Sequence, residues 1–171
     1  NKQGSVLNSI DYTITAMGGR MLRQWLRRPL TSSEQIIKRQ TGVKYFIETA
    51  EVRSKIELQL ENIVDIERIV ARLTVGIGNA RDMIGLKNSL KNCVSIKQTF
   101  TESNAPEYLK NIAKEIPLTI TEVINLIEST ILEDPKFDPK EGSIIKDGVD
   151  KNLDEFRKIV NHGAEWISDL E

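Results

Sequence analysis

Apolar residues recur at intervals of three and four along most of the chain, and alternating runs of Val, Ile and Thr are scarce, so the pattern predicts a nearly all-helical protein. Met21, Leu22, Trp25 and Leu26 fall on one side of a helix from about Ala16 to Arg28, with Arg20, Arg23 and Arg27 on the other. Pro29 ends it, because the residue before a proline is biased away from helical angles. Thr31-Ser-Ser-Glu34 has the S/T-x-x-E form of a capping box and opens a second helix to about Thr49. Its stripe of Ile36, Gln40, Val43, Ile47 and Ala50, flanked by Ile37 and Phe46, needs cover on one broad side. Val52, Ile56 and Leu60 form a shorter stripe, and Ile66, Ile69, Val70 and Leu73 another behind a cap at Asp65.

Gly76-Ile-Gly-Asn79 interrupts the period, and Asn79 suits the cap of a helix carrying Met83, Leu86, Leu90, Val94 and Ile96 that fades near Phe100. Pro106 fits the first turn of the next helix, whereas Pro117 must kink or divide the segment before Ile120, Val123, Ile124 and Ile127. From Asp134 to Asp150 the helical period disappears, and Asp147-Gly148 marks a small hairpin or a tight turn. From Lys151 to Glu171 the period returns, with Leu153, Phe156, Val160, Gly163, Ile167 and Leu170 at alternating steps of three and four. This seam suits packing along another helix and is about 30 Å long at roughly 1.5 Å per residue. The expected fold is all-α: an irregular helical bundle with a long C-terminal helix and at most a minor β-hairpin near 143–150.

The length of 171 residues suits one core. Lys plus Arg total 24 against 25 for Asp plus Glu, so the chain has no overall positive excess for a phosphate backbone and any nucleic-acid contact must be local. Cys93 stands alone and can form no internal disulfide. With no signal peptide and no apolar run of about 18 residues, the chain reads as soluble and intracellular, with no membrane partner. It opens at Asn1 without a methionine and reaches Glu171 inside a helical pattern, so both ends read as cut from a longer protein.

The chemical motifs are weak. Met17-Gly18-Gly19-Arg20 lacks the preceding strand and the later glycines and lysine of a phosphate loop, so its glycines read as a turn or a close backbone approach. Gly76-Ile-Gly78-Asn-Ala-Arg81 has an arginine where a dinucleotide loop needs its third glycine. His162 is the only histidine, so a zinc site would need mainly carboxylates; Asp134, Asp138 and Asp147 lack the alternating spacing of a calcium loop. No metal, cofactor or catalytic site is expected. Asp65, Glu67, Arg68 and Arg72 read as a helix cap with spaced charge pairs. The row of Arg20, Arg23 and Arg27 suits either phosphates or the carboxylates of a neighbouring domain, and the lack of interleaved aromatics favours the domain or solvent.

Four blocks in order, "GSVLNSIDYTITAMGGRMLRQWLRRPL", "VDIERIVARL", "GNARDMIGL" and "DGVDKNLDEFRKIVNHGAEWISDLE", closely resemble the MutS family of DNA mismatch-repair proteins. The similarity covers the central helical core that leads into the lever and clamp, and it is least diagnostic from Phe100 to Pro139. It implies a core over 1–150 and the start of a lever helix over 151–171. Gly19, Leu22, Trp25, Pro29, Leu30, Asp65, Glu67 and Arg68, with Arg20, match core architecture. The resemblance further implies that the parent reads mismatched duplex DNA with one domain and hydrolyses ATP with Mg in another. It implies a dimeric parent, partnered by a MutL-type protein, in the cytoplasm of a bacterium or the nucleus of a eukaryote. Phe46-Ile-Glu48 and Phe100-Thr-Glu102 have the Phe-x-Glu form but lie within the stretch that resembles the core and not the mismatch-reading domain, and no G-x-x-x-x-G-K-[ST] loop occurs in this chain, so the resemblance carries over no mismatch-reading or catalytic residue. Two other readings compete: an autonomous helical nucleic-acid-binding module, and the core of a MutS relative acting on recombination intermediates.

Overall fold

The computed structural model describes residues 4–136 and 144–168 and is all-α. Its helices are α1 (Val6–Ile10), α2 (Ala16–Arg27), α3 (Ser33–Glu48), α4 (Ala50–Glu61), α5 (Ile66–Thr74), α6 (Ala80–Glu102), α7 (Glu107–Lys114), α8 (Ile120–Thr130) and α9 (Lys151–Ser168). The breaks fall where the sequence places stop signals. Pro29 follows α2, Pro106 is the N-cap of α7, and Pro117 lies in the turn that separates α7 from α8. The five-residue α1 is too short to show a period and was not anticipated; Ser5 caps it by accepting from the Asn8 amide.

Asn79 and Asp82 form a complete capping box, each side chain accepting from the other's backbone amide at 3.0 Å. The box anticipated at Thr31 does not form. Ser32 is the cap instead, which puts Glu34 at the second helical position, where it pairs with Lys38 one turn along at 2.5 Å. The Gly76-Ile-Gly78 stretch is a helix stop. Gly76 has a φ of +75°, and the amides of Ile77 and Gly78 both donate to the Arg72 carbonyl. A Cβ on Gly78 would lie 2.5 Å from Leu73 Cδ2, so the second glycine serves close packing.

Two apolar clusters share α6. Tyr45, Ile56, Phe100, Ala105, Leu109 and Ala113 join α3, α4 and α7 to its C-terminal half. Ile69, Leu86, Leu90, Ile124, Ile127 and Ile131 join α5 and α8 to its N-terminal half. Buried polar groups near this second cluster have partners, as burial requires. The Lys87 ammonium, 2% exposed, donates to both Glu133 oxygens at 2.8 Å, and Ser89 accepts from the Val64 amide while donating to the Gly85 carbonyl.

One further expectation changes. The α3 stripe anticipated to face the core does not: Ile36, Val43 and Ile47 are 37%, 60% and 69% exposed, while Gly42 and Tyr45 on another side are buried. Gly42 lies against α7, where a Cβ would meet Leu109 and Tyr108 at 3.4 Å, and the ring of Tyr45 packs beside Phe46, which in turn packs edge-on to Phe100. Of the two forms expected at Asp147-Gly148 the tight turn is the one present, with Gly148 at φ +84°, and Ile145 forms a single antiparallel bridge with Ile131.

Ile127 is 1% exposed at the centre of the second cluster, whereas its neighbour Leu126 is 65% exposed. Ile127→Ala should cost about 2–5 kcal/mol in urea denaturation and Ile127→Val about 0.5–1.5 kcal/mol. Leu126→Ala should stay within about 0.5 kcal/mol of the parent sequence.

Candidate functional site

The candidate residues gather in two places, along α2 and at the root of α9. Thr15 caps α2 by accepting from the Gly18 amide at 3.0 Å. Gly19 is buried, and a Cβ there would come within 3.2 Å of the Thr13 hydroxyl, so the second glycine lets the preceding loop lie against the helix. Arg20 reaches across the chain to α5. Its two terminal nitrogens donate to the two Asp65 oxygens at 2.8 and 2.7 Å, and one also donates to Glu67 at 2.5 Å. Asp65 at the same time caps α5 by accepting from the Arg68 amide.

This fork is the geometry in which guanidinium and carboxylate bind most strongly. The Arg20 guanidinium, aided by the Arg68 amide, holds the Asp65 carboxyl down at about 2. The same two carboxylates raise the pKa of Arg20. Asp65 therefore caps its helix as expected, but Arg20, read from the sequence as a DNA or interdomain contact, has its carboxylates within the chain.

Arg23, Arg27 and Arg28 differ from Arg20. With Arg20 and Gln24 they line a shallow cavity of about 510 Å³ along α2, but among the described residues the guanidiniums of Arg23, Arg27 and Arg28 form no ion pair. On another side of α2, the guanidinium of Arg39 stacks on Trp25, 3.6 Å from the ring centroid. Below this stack runs a groove of about 560 Å³ walled by Trp25, Pro29 and Leu30 against Ile36, Val43 and Ile47 of α3. Leu22 and Leu30 are half-buried, and Pro29, Glu67 and Arg68 are exposed.

The root of α9 is held by polar contacts. Asp150 accepts from the amides of Asn152 and Leu153, and Asp154 accepts from the Gly148 amide at 2.9 Å. Arg157 donates to Asp147 at 2.5 Å and to the Ile145 carbonyl at 2.8 Å. Lys146, next to Ile145, donates to the Glu128 carbonyl of α8. Leu153 is half-buried, while Phe156 and Val160 are 65% and 69% exposed. The Ile167 side chain and Leu170 lie outside the described residues. The apolar period could not reveal Arg157, because its partners sit in the irregular stretch before the helix.

Among the described residues no group of three or more His, Cys, Asp or Glu is placed to hold a metal ion, and no helix is long and apolar enough to cross a membrane. Cys93 is half-buried, and burial raises the pKa of its thiol.

The family model for MutS domain III matches residues 1–171. The DNA mismatch repair protein MutS of Bacillus subtilis is 42% identical over 171 residues, which is all of this chain and 20% of that protein. The protein of the same name from Clostridium novyi is 37% identical over 171 residues, covering all of this chain and 19% of that one. That of Lactobacillus johnsonii is 37% identical over 170 residues, 99% of this chain and 20% of its own length. The chain thus spans about a fifth of the relatives it matches.

Because Asp65 titrates below its ordinary 3.8, its contribution to stability is present above about pH 4 and is lost as pH falls through about 2. Arg20→Gln should return its pKa most of the way to 3.8, with the Arg68 amide keeping part of the depression. Carboxyl NMR titration reads this directly, and the acid-unfolding midpoint should rise within the same window. An unmoved Asp65 titration would show that the fork does not persist in solution.

Proposed function

The chain belongs to the MutS family of DNA mismatch-repair proteins through its domain III, and on that premise we propose that it is the helical core joining the parent's mismatch-binding and clamp regions to its ATPase domain. In this reading the chain is a scaffold and not an enzyme. Residues 1–150 form the core, and 151–171 begin a lever toward the clamp. ATP and Mg serve the ATPase domain elsewhere in the parent. Mismatched duplex DNA is reached through the parent, which acts as a dimer with a MutL-type partner.

The observation that carries this reading is the way α9 is rooted. Arg157 ties it to Ile145 and Asp147, and Ile145 is bridged to Ile131 at the end of α8. Beyond the root, Phe156, Ile159 and Val160 are exposed. A helix gripped at one end moves its far end when its base is repacked, because its backbone hydrogen bonds resist bending.

A second reading, an autonomous nucleic-acid-binding module, draws on the three guanidiniums of Arg23, Arg27 and Arg28, which form no ion pair among the described residues. The net charge of −1 opposes it. The names of the relatives favour mismatch repair over recombination intermediates as the parent's task.

Lys158→Pro in the full-length parent tests the lever. An interior proline removes a backbone hydrogen bond and costs about 3 kcal/mol or more, so it should bend α9 beyond its root while sparing the core. Basal ATP hydrolysis should persist and much of its response to mismatched duplex should vanish, with Lys158→Ala as control and circular dichroism confirming the fold. A folded proline variant that responds as the alanine control does would remove the lever role from this helix.

DNA titration separates the two readings. The chain alone should bind matched and mismatched duplexes equally, no tighter than about 10⁻⁴ to 10⁻⁶ M near physiological salt. Tight binding abolished by Arg23→Gln with Arg27→Gln would favour the nucleic-acid module.

A further inference from the structure

The chain that leads into α9 meets the end of α8 over a single residue pair. Ile131 and Ile145 lie opposite each other, flanked by one bond from the Leu132 amide to the Ile144 carbonyl and one from the Lys146 amide to the Thr130 carbonyl, both 2.9 Å. Such a pairing takes its register mainly from which side chains must face the core. Here that signal is weak, because Ile131 is followed by Leu132 and Ile144 by Ile145. A shift of one residue exchanges one branched aliphatic side chain for another of nearly equal volume, a swap that cores tolerate. It would still move the chain by about 3.3 Å. The root of α9 would follow, since Arg157 holds it to the Ile145 carbonyl and to Asp147.

Lys146 breaks this equivalence. The bond from the Ile131 amide to the Ile127 carbonyl closes α8, so the carbonyls from Glu128 onward need partners from outside the helix. Lys146, half-buried, serves two of them: its amide donates to Thr130, and its ammonium donates to Glu128 at 2.6 Å. A cation there also suits the negative end of the helix dipole. Sliding the chain by one residue would turn the Lys146 side chain to the opposite face and take the ammonium from the Glu128 carbonyl. The other side of the pair is fixed independently, because Lys87 of α6 donates to both oxygens of Glu133, two residues past Ile131. The side that leads into α9 is therefore the one whose position Lys146 must set.

We propose that Lys146 is the positioning residue for α9: by capping the end of α8 it selects the one register in which the chain enters α9, and so fixes where that helix starts. The proposal rests on the reading of α9 as a lever and names the contact that sets its base.

Disulfide trapping in the full-length parent tests this. Ile131→Cys with Ile145→Cys reports the observed register, while Leu132→Cys with Ile145→Cys and Ile131→Cys with Ile144→Cys report a shift of one residue in either direction. In the observed register the members of each shifted pair point to opposite faces, where a disulfide closes poorly. Each pair is oxidised with and without Lys146→Met, so that the cost of the cysteines cancels, and peptide mass spectrometry identifies each cross-link. With Lys146 present, the observed pair should close at least about tenfold faster than either shifted pair, the preference that a hydrogen bond from a charged donor supplies. Lys146→Met, which keeps the length of the side chain and loses its donor, should bring a shifted pair close to the rate of the observed one. Lys146→Arg, which keeps a charged donor, should restore most of the preference. An unchanged preference in Lys146→Met would overturn the proposal. So would a uniform slowing of all three pairs with a lower urea midpoint, which would make Lys146 a general stabiliser. The response of ATP hydrolysis to mismatched duplex, measured on Lys146→Met without the added cysteines, separates the proposal from the lever reading. A shifted register with an undiminished response would keep the proposal and remove the lever role. A fixed register beside a response lost in Lys158→Pro would keep the lever role and remove the proposal.

Discussion

Covering α6 along its whole length is the constraint on which the rest of the fold depends. At 23 residues it is about 35 Å long at roughly 1.5 Å per residue, and each helix packed on it is shorter. No single neighbour can bury both of its halves. The half around Phe100 is therefore covered by α3, α4 and α7, and the half around Leu86 and Leu90 by α5 and α8. Lys87 and Ser89 add polar requirements to this division. A buried ammonium needs an acceptor, which places Glu133 after α8, and the buried hydroxyl of Ser89 takes the Val64 amide just before α5. The spacer between two elements is thereby positioned by a helix more than twenty residues away.

The two peripheral helices are held by different forces. Gly19 is the only buried residue of α2, so burial contributes little to its placement and the fork from Arg20 to Asp65 and Glu67 contributes more. At the other end of the chain, Arg157 fastens α9 through one carboxylate and one carbonyl. Both attachments are polar, and both leave apolar side chains facing outward: Met21, Trp25 and Leu26 on α2, Phe156, Ile159 and Val160 on α9. A domain proposed to join others would use such faces, since they can be covered by a neighbour without disturbing the core beneath.

The helical content was legible because its signals are local. A period of three and four, a cap at Asp65 or Asn79, and breaks at Pro29, Pro117 and Gly76 each act within a few residues, and the structure keeps all of them. The capping box at Thr31 failed by one residue, because Ser32 offers the same hydroxyl and the helix starts after it. The family was legible for a related reason, since the order of the residue blocks survives however they are packed.

What the sequence could not decide was which surface meets which. On α3 the stripe of Ile36, Val43 and Ile47 is as apolar as a core face, yet Gly42, Tyr45 and Phe46 win the core. That side sets the small Gly42 against Tyr108 and Leu109 of α7 and brings the rings beside Phe100. Arg20, Arg23 and Arg27 were equivalent as a row on one helix, and the folded chain separates them by bringing Asp65 to Arg20 from 45 residues away. Lys87 carried no sign of burial, because Glu133 is 46 residues distant. The sequence by itself therefore determined every helix but the short α1, most of the helix ends and the family, all encoded in neighbouring residues. The tertiary structure alone decided which charges are satisfied, which apolar face stays open and where α9 is gripped, because each depends on contacts that close long loops and leave no period in the chain.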